Sequence, residues 1–297
     1  MVLSREVSER RIKLKRIKFI IFLIIITVML MTLSACTDEH EGMVLVNTGH
    51  EKEWVPEAKG VPKSDFKKSE FYYEGNIAKY KGEGYITKLG IDVSEHQREI
   101  DWEKVKADGI EFALIRCGYR GYTKGNIMVD EFFEDNIKNA RKAGLKIGIY
   151  FFSQATGAVE AAEEAQFVIN LLKPYKQDIS LPVAFDWEPM RLEGSRSAHI
   201  NKENLTASAL VFSEIIKDAG YTPMVYMFRP LGYKYYDLER VKDFDYWIGA
   251  IDEWPDFYYK HIIWQFSMTG TVDGIETEVD LNLMFEEIAP PESPESK

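Results

Sequence analysis

Asp186-Trp187-Glu188 closes an apolar run, Leu181-Pro-Val-Ala-Phe185. The run reads as a buried strand, and Asp and Glu are rarely found in an apolar interior without partners. Acids two positions apart on a strand point to the same face, with α-carbons about 6–7 Å apart. Two carboxylates at that range, one protonated and one ionised, can perform the acid–base work of glycoside hydrolysis. Two more acids stand at strand ends: Asp92 near the end of Lys88–Val93 and Asp280 near the start of Val279–Leu283. Crowding raises the pKa of at least one such carboxyl, which lets a general acid coexist with an ionised partner. An acid at a strand end can also cap a helix or pair with Lys or Arg. A same-face pair on a buried strand, with two more acids at ends of the same sheet, favours chemistry. Trp187 alternates to the opposite face and is expected to pack against a helix.

The elements that must position these acids alternate along the chain. Strand-like runs occur at Lys88–Val93, Phe112–Cys117, Lys146–Phe152, Leu181–Phe185 and Met224–Met227. Helical stretches intervene: one opens at Asp101-Trp102 and ends by Gly109, one is capped by Asp130 and stopped by Gly144, one runs from Val159 to Leu172, and one from Glu203 to Ala219. Repeated βα units imply a parallel sheet with helices outside. The rhythm changes after Met227. Tyr246–Ile251, Ile262–Phe266 and Val279–Leu283 are strand-like, but the gaps hold Pro255, Gly270 and Gly274 and are short for parallel crossovers. These late strands are expected to be joined by loops or hairpins and to run partly antiparallel. The fold class is therefore α/β: a modified TIM-like barrel of five βα units followed by three strands without crossover helices. In such a barrel, catalytic side chains sit where parallel strands end. An antiparallel last strand would bring Asp280 to the same mouth as Asp92, Asp186 and Glu188.

Several blocks together resemble glycoside hydrolase family 25, the lysozymes (N-acetylmuramidases) of bacteria, fungi and phage. They are Gly90-Ile-Asp92-Val-Ser94-Glu-His-Gln97 with Ile100-Asp101-Trp102, Arg116-Cys-Gly118-Tyr119-Arg-Gly121, Gly148-Ile-Tyr150-Phe-Phe-Ser153 and Ala184-Phe-Asp186-Trp-Glu188. Ala219-Gly-Tyr221-Thr-Pro223-Met-Val-Tyr226, Trp264-Gln265-Phe266, Val272-Asp-Gly274-Ile275 and Val279-Asp280-Leu-Asn282 follow in order, so the likeness runs from Lys88 to Phe285. The resemblance implies hydrolysis of the β-1,4 bond between N-acetylmuramic acid and N-acetylglucosamine in peptidoglycan. It implies Glu188 as general acid and then base, with Asp186 either attacking the sugar or orienting the substrate's own N-acetyl group. It assigns Asp92 and Asp280 to charge tuning and substrate contact, and Tyr119, Tyr150, Tyr226, Trp264 and Gln265 to the sugar-binding groove. Arg98 stands where many relatives have Gly. A non-catalytic wall-binding module on the same fold is the alternative, and a chitinase-like barrel a third reading that lacks its usual run of spaced acids.

Composition bounds the rest. The 297 residues are 45% hydrophobic, enough for a large core. Residues 1–35 hold seven Lys/Arg against two Glu, a net of +5, which leaves −16 of the −11 total on the remainder. An acidic body excludes a phosphate-backbone partner, so no nucleic acid is expected. Basic residues up to Lys18, an apolar run from Phe19 to Leu33 and then Leu33-Ser34-Ala35-Cys36 describe an export signal that looks like a lipobox, with cleavage before Cys36 and a lipid on its sulfur. An uncleaved anchor is the rival reading. Either tethers the body to the outer face of a bacterial cytoplasmic membrane, within reach of peptidoglycan glycan strands. The expected organisation is a signal over 1–35, a polar spacer over 36–85 with some structure near Phe71-Tyr72-Tyr73, a catalytic barrel over 86–288 and a Pro-rich tail over 289–297, acting as a monomer. Cys117 reads as a small buried thiol. No metal or cofactor is expected, since there is no cysteine–histidine cluster.

Overall fold

The computed structural model describes residues 13–24, 39–190, 192–251 and 254–288. The chain divides into two compact units, residues 1–44 and 45–297. In the first, residues 13–24 are helical, and no described helix is long and apolar enough to cross a membrane. Cys36 and the tail 289–297 lie outside the described residues, as does most of the expected signal.

The second unit is built on a closed ring of eight strands: β1 Tyr85–Val93, β2 Phe112–Arg120, β3 Lys146–Ser153, β4 Val183–Trp187, β5 Pro223–Phe228, β6 Asp245–Gly249, β7 Ile263–Gly270 and β8 Val279–Glu287. Each strand pairs with the next, and β8 closes on β1. Five helices follow the first five strands: α1 Trp102–Ala107, α2 Phe133–Lys142, α3 Ala158–Leu172, α4 Lys202–Asp218 and α5 Arg229–Tyr235. This is the expected modified β/α barrel. The late strands are more regular than expected. β6 and β7 run parallel to the others, and only β8 is antiparallel, to both neighbours. The β6–β7 crossover, residues 250–262, is long enough for a parallel return without a helix among its described residues.

Strand alternation separates a lumen from an outer shell. Phe112, Leu114, Tyr150, Ala184, Met224, Tyr226, Trp247, Ile263 and Met284 form one buried cluster that fills the barrel interior, as layered side chains do in this architecture. Gly90 belongs to the same packing: a Cβ there would meet the Phe112 ring at 2.3 Å. Outward residues pack on the helices. Phe185 and Phe151 lie 5.4 and 6.4 Å, ring to ring, from Phe212 of α4. Trp187 is buried and stacks on Tyr235 of α5 at 6.4 Å, as its alternation predicts.

The stretch read from sequence as a polar spacer carries structure. Lys52–Pro56 is a strand, and Phe71–Glu74 pairs with Ile77–Tyr80 as a hairpin. The chain from 58 to 64 is bonded along the β6–β7 crossover. Ala58 N–H donates to the Tyr259 hydroxyl (2.6 Å), Lys260 N–H to Pro62 O (2.8 Å) and Ser64 N–H to Tyr258 O (3.0 Å). Phe66 then enters a cluster with Phe71, Tyr80, Tyr85, His261 and Phe285, at ring separations of 4.3–6.0 Å. The segment thus covers part of the barrel wall where β6–β8 have no helices. The physical reason is that an outward apolar face must be buried against something; here a strap of Phe and Tyr does what helices do elsewhere on the ring.

Candidate active site

The five parallel strands that carry helices, and the antiparallel β8, converge on a mouth with a pocket of about 410 Å³. Asp92 enters from β1, Asp186 from β4, Glu188 from the position directly after Trp187, the last residue of β4, and Asp280 from the start of β8. Because β8 is antiparallel, Asp280 pairs in register with Asp92 across the seam. All four predicted acids therefore line one pocket. Arg116 of β2, Tyr150, Tyr226, Trp247, Gln265, Met190, Met268 and His96 line it as well.

Burial acts on all four acids in the same direction. Asp92 is pushed up to about 6, with hydrogen bonds from Asn282 and Gln265 opposing the effect of burial. Glu188 is raised to about 7 by burial and then by the charge of Asp92. Asp280 reaches about 8 through burial, Asp92 and Glu188. Asp186 is held well above the carboxylate range by burial and by Glu188, Asp92 and Asp280, with Arg116 pulling the other way. Its Oδ1 is buried without a hydrogen-bond partner, so a charge on that oxygen has no hydrogen-bond support and leans on Arg116 alone. The arrangement is a set of carboxyls that holds protons near neutral pH, with Asp92 the most easily ionised.

Amide and hydroxyl groups tie the acids together. Gln265 Nε2 donates to Asp92 Oδ2 (2.9 Å) and to Asp280 Oδ2 (3.0 Å), while the Tyr226 hydroxyl donates to Gln265 Oε1 (2.8 Å). Asn282 Nδ2 donates to the same Asp92 oxygen (2.8 Å), and Trp247 Nε1 to Asn282 Oδ1 (2.8 Å). The backbone of Glu188 is held too: Gln154 Nε2 donates to its carbonyl (2.8 Å), and the Ser197 hydroxyl donates to Gln154 Oε1. Arg116 is anchored to Asp130 Oδ2 (2.8 Å) and lies 3.1 Å from Glu95. Among the described residues no group of three or more His, Cys, Asp or Glu is arranged to hold a metal ion.

The residues assigned to the groove divide. Tyr150, Tyr226 and Gln265 line the pocket. Trp264 does not. It is fully buried on the outer face of β7, with its Nε1 donating to Ala250 O (2.7 Å) and its ring against Phe71 at 5.5 Å. Its neighbour Gln265 takes the inward position, so Trp264 must face out. Tyr119 stands outside the pocket lining, its ring centre 5.1 Å from the Arg116 guanidinium; a bulge between Arg116 and Gly118 interrupts the alternation of β2. Sequence reasoning missed Trp247, Arg116, Asn282 and Gln154. Asn282 had a signal, since it shares a strand face with Asp280. His96, in the loop after β1, is exposed and also borders the pocket. Cys117 is free and buried, as expected.

A β/α barrel with acids converging on its mouth defines the class. Residues 91–275, more than half the chain, match the profile of glycosyl hydrolases family 25, and the chain belongs to that family. It is 26% identical over 200 residues to the autolytic lysozyme of Clostridium acetobutylicum, covering 67% of this chain and 56% of that protein. It is 33% identical over 99 residues to lysozyme M1 of Streptomyces globisporus, covering 33% and 32%. The modular autolysin LytC of Streptococcus pneumoniae, solved with a synthetic peptidoglycan ligand, is similar in fold with a TM-score of 0.58 at 23% identity, over 71% of this chain and 54% of that one. A family 25 glycosyl hydrolase from Bacillus anthracis gives 0.55 at 24%, over 69% and 91%. The chain spans about half the length of the autolytic lysozyme and of LytC.

Proposed function

We propose that the protein is a peptidoglycan hydrolase that cleaves the β-1,4 bond between N-acetylmuramic acid and N-acetylglucosamine. The observation that carries this reading is Glu188, with its carboxyl raised to about 7, beside the buried Asp186 at the barrel mouth. A carboxyl with that pKa still holds its proton near neutral pH and can deliver it to the glycosidic oxygen as the bond breaks. Asp186 acts at the anomeric carbon, directly or by orienting the substrate's acetamido group. Glu188, now ionised, draws the proton from the water that completes hydrolysis, and so recovers its starting state. Asp92 and Asp280 set the charge around the pair. The substrate assignment is supported by the lysozyme names of the relatives and by the peptidoglycan ligand of LytC.

The same proposal puts the enzyme outside the cytoplasmic membrane, tethered through lipid on Cys36, on the strength of the basic and apolar N-terminal pattern. The test is product analysis by mass spectrometry after the full chain acts on purified cell wall. Muramic acid at the new reducing ends is expected from the parent, and none from Glu188→Gln. Release of no new reducing ends, or equal release by Glu188→Gln, would overturn the reading.

A further inference from the structure

Tyr226 and Gln265 line the pocket, yet their polar groups are committed to each other and to acids, not directed at an empty site. Gln265 is 4% exposed, and both ends of its amide are used. A second chain of donors runs alongside. The indole Nε1 of Trp247 can only donate, so the oxygen of Asn282 must face Trp247 and its NH₂ must face Asp92. Asn282 is fully buried and cannot turn to water instead. Gln265 turns its NH₂ toward Asp92 and Asp280 and its oxygen toward the Tyr226 hydroxyl; here the acceptor-only carboxylate of Asp92 sets the orientation, and the hydroxyl, which can donate or accept, answers with its proton. Asp92 Oδ2 thus receives two donated protons and Asp280 Oδ2 one, while Asp186 Oδ1 receives none. Hydrogen bonds to a carboxylate favour its charged form.

We propose that Trp247–Asn282 and Tyr226–Gln265 are two positioning relays that fix the negative charge of the carboxylate cluster on Asp92, and that this charge keeps the proton on Glu188. The proposal rests on Glu188 as the general acid. It gives Gln265 a different role from the sugar contact implied by resemblance. The graded ionisation agrees: Asp92 lies lowest of the four acids, and its charge raises Glu188. The other titratable or charged groups facing Asp92 in the pocket are Asp280 from β8, Asp186 from β4, Arg116 from β2, Tyr150 from β3, Tyr226 from β5 and the nearby His96. None of them donates a hydrogen bond to Asp92 among the described contacts, so the two amides are its specific support.

The experiment follows Asp92 and Glu188 separately. In the full chain labelled at the aspartate carboxyl carbon, NMR titration reads the Asp92 midpoint, assigned with Asp92→Asn. Gln265→Leu removes one donor and should raise that midpoint by about 1 pH unit. Trp247→Phe leaves a ring in place but frees Asn282 to turn, and should move it the same way by less. In peptidoglycan hydrolysis, an Asp92 that stays protonated no longer holds the Glu188 proton. The alkaline limb of kcat/KM should therefore move down by about 1 unit in Gln265→Leu. An unmoved Asp92 midpoint in both variants overturns the relays. So does a raised KM with both pH limbs in place, the result a plain sugar contact would give. An inactive parent whose Asp92 midpoint still shifts supports the relays and sinks the hydrolase reading, so the two failures are distinct.

Discussion

Trp264 separates two accounts of the same residue, and replacing it tests the fold directly. The indole is fully buried between β7 and the hairpin that covers it, against Phe71 and Phe266, each at 5.5 Å. Truncation of such a ring in Trp264→Ala costs about 3–5 kcal/mol. It also strips the Ala250 carbonyl of its Nε1 donor, worth about 1 kcal/mol more. For a domain of this size each kcal/mol lowers Tm by about 2–4 °C, so the variant should melt about 10–20 °C below the parent. Trp264→Phe keeps an aromatic ring but loses the donor, and should fall only a few degrees. Thermal unfolding by circular dichroism measures both. Hydrolysis of cell wall below the melting range should show KM unchanged in Trp264→Phe, since the side chain faces away from the pocket. A Trp264→Ala protein with parental Tm and a raised KM would refute the packing account and restore Trp264 to the groove.

Two further outcomes follow. Asp92, Glu188, Asp280 and Asp186 are all raised above their ordinary values. Their proton uptake favours the folded state fully below about pH 4, and this contribution is lost as pH rises through their folded values toward 8. Tm should therefore be lower at pH 8.5 than at pH 6.5, and Asp280→Asn should narrow the gap; a gap of equal size in the variant argues against the crowding. The buried His261 titrates in the opposite sense, its pKa lowered to about 4 by burial, so its contribution is present above about pH 6.5 and lost as pH falls; this is why the comparison starts at 6.5. A chain that begins at residue 85 would uncover Trp264, Phe285 and His261. It should melt below the full chain and be cut by protease in the 254–262 crossover, and a truncated protein with parental Tm would show that the strap is dispensable.

The barrel was legible because its signals are local. Eight apolar runs, Gly and Pro punctuation and the loss of helical spacing after Met227 predict every strand of the ring, with ends displaced by a few residues. The convergence of Asp92, Asp186, Glu188 and Asp280 followed from one topological deduction, an antiparallel last strand. What remained hidden was phase and cover. Period two says that Trp264 and Gln265 face opposite sides, but it does not say which side is the lumen. For Asp186 and Trp187 the choice was easy, because an acid belongs at the mouth and helices follow β4. Around β7 no helix follows, so the pattern offers an outward indole nothing to pack on, and the groove position came from the resemblance alone. The missing cover comes from residues 58–80, whose Phe66, Phe71 and Tyr80 are scattered among charged neighbours with no helical or strand period long enough to register. They have little apolar surface to bury on each other and order against the bare wall of the barrel. Trp247 was overlooked because its role depends on a partner on another strand, Asn282, and a side chain that acts through another leaves no mark in the spacing of its own strand; Asn282 did leave one, the strand face it shares with Asp280, but that face does not reveal the donor behind it.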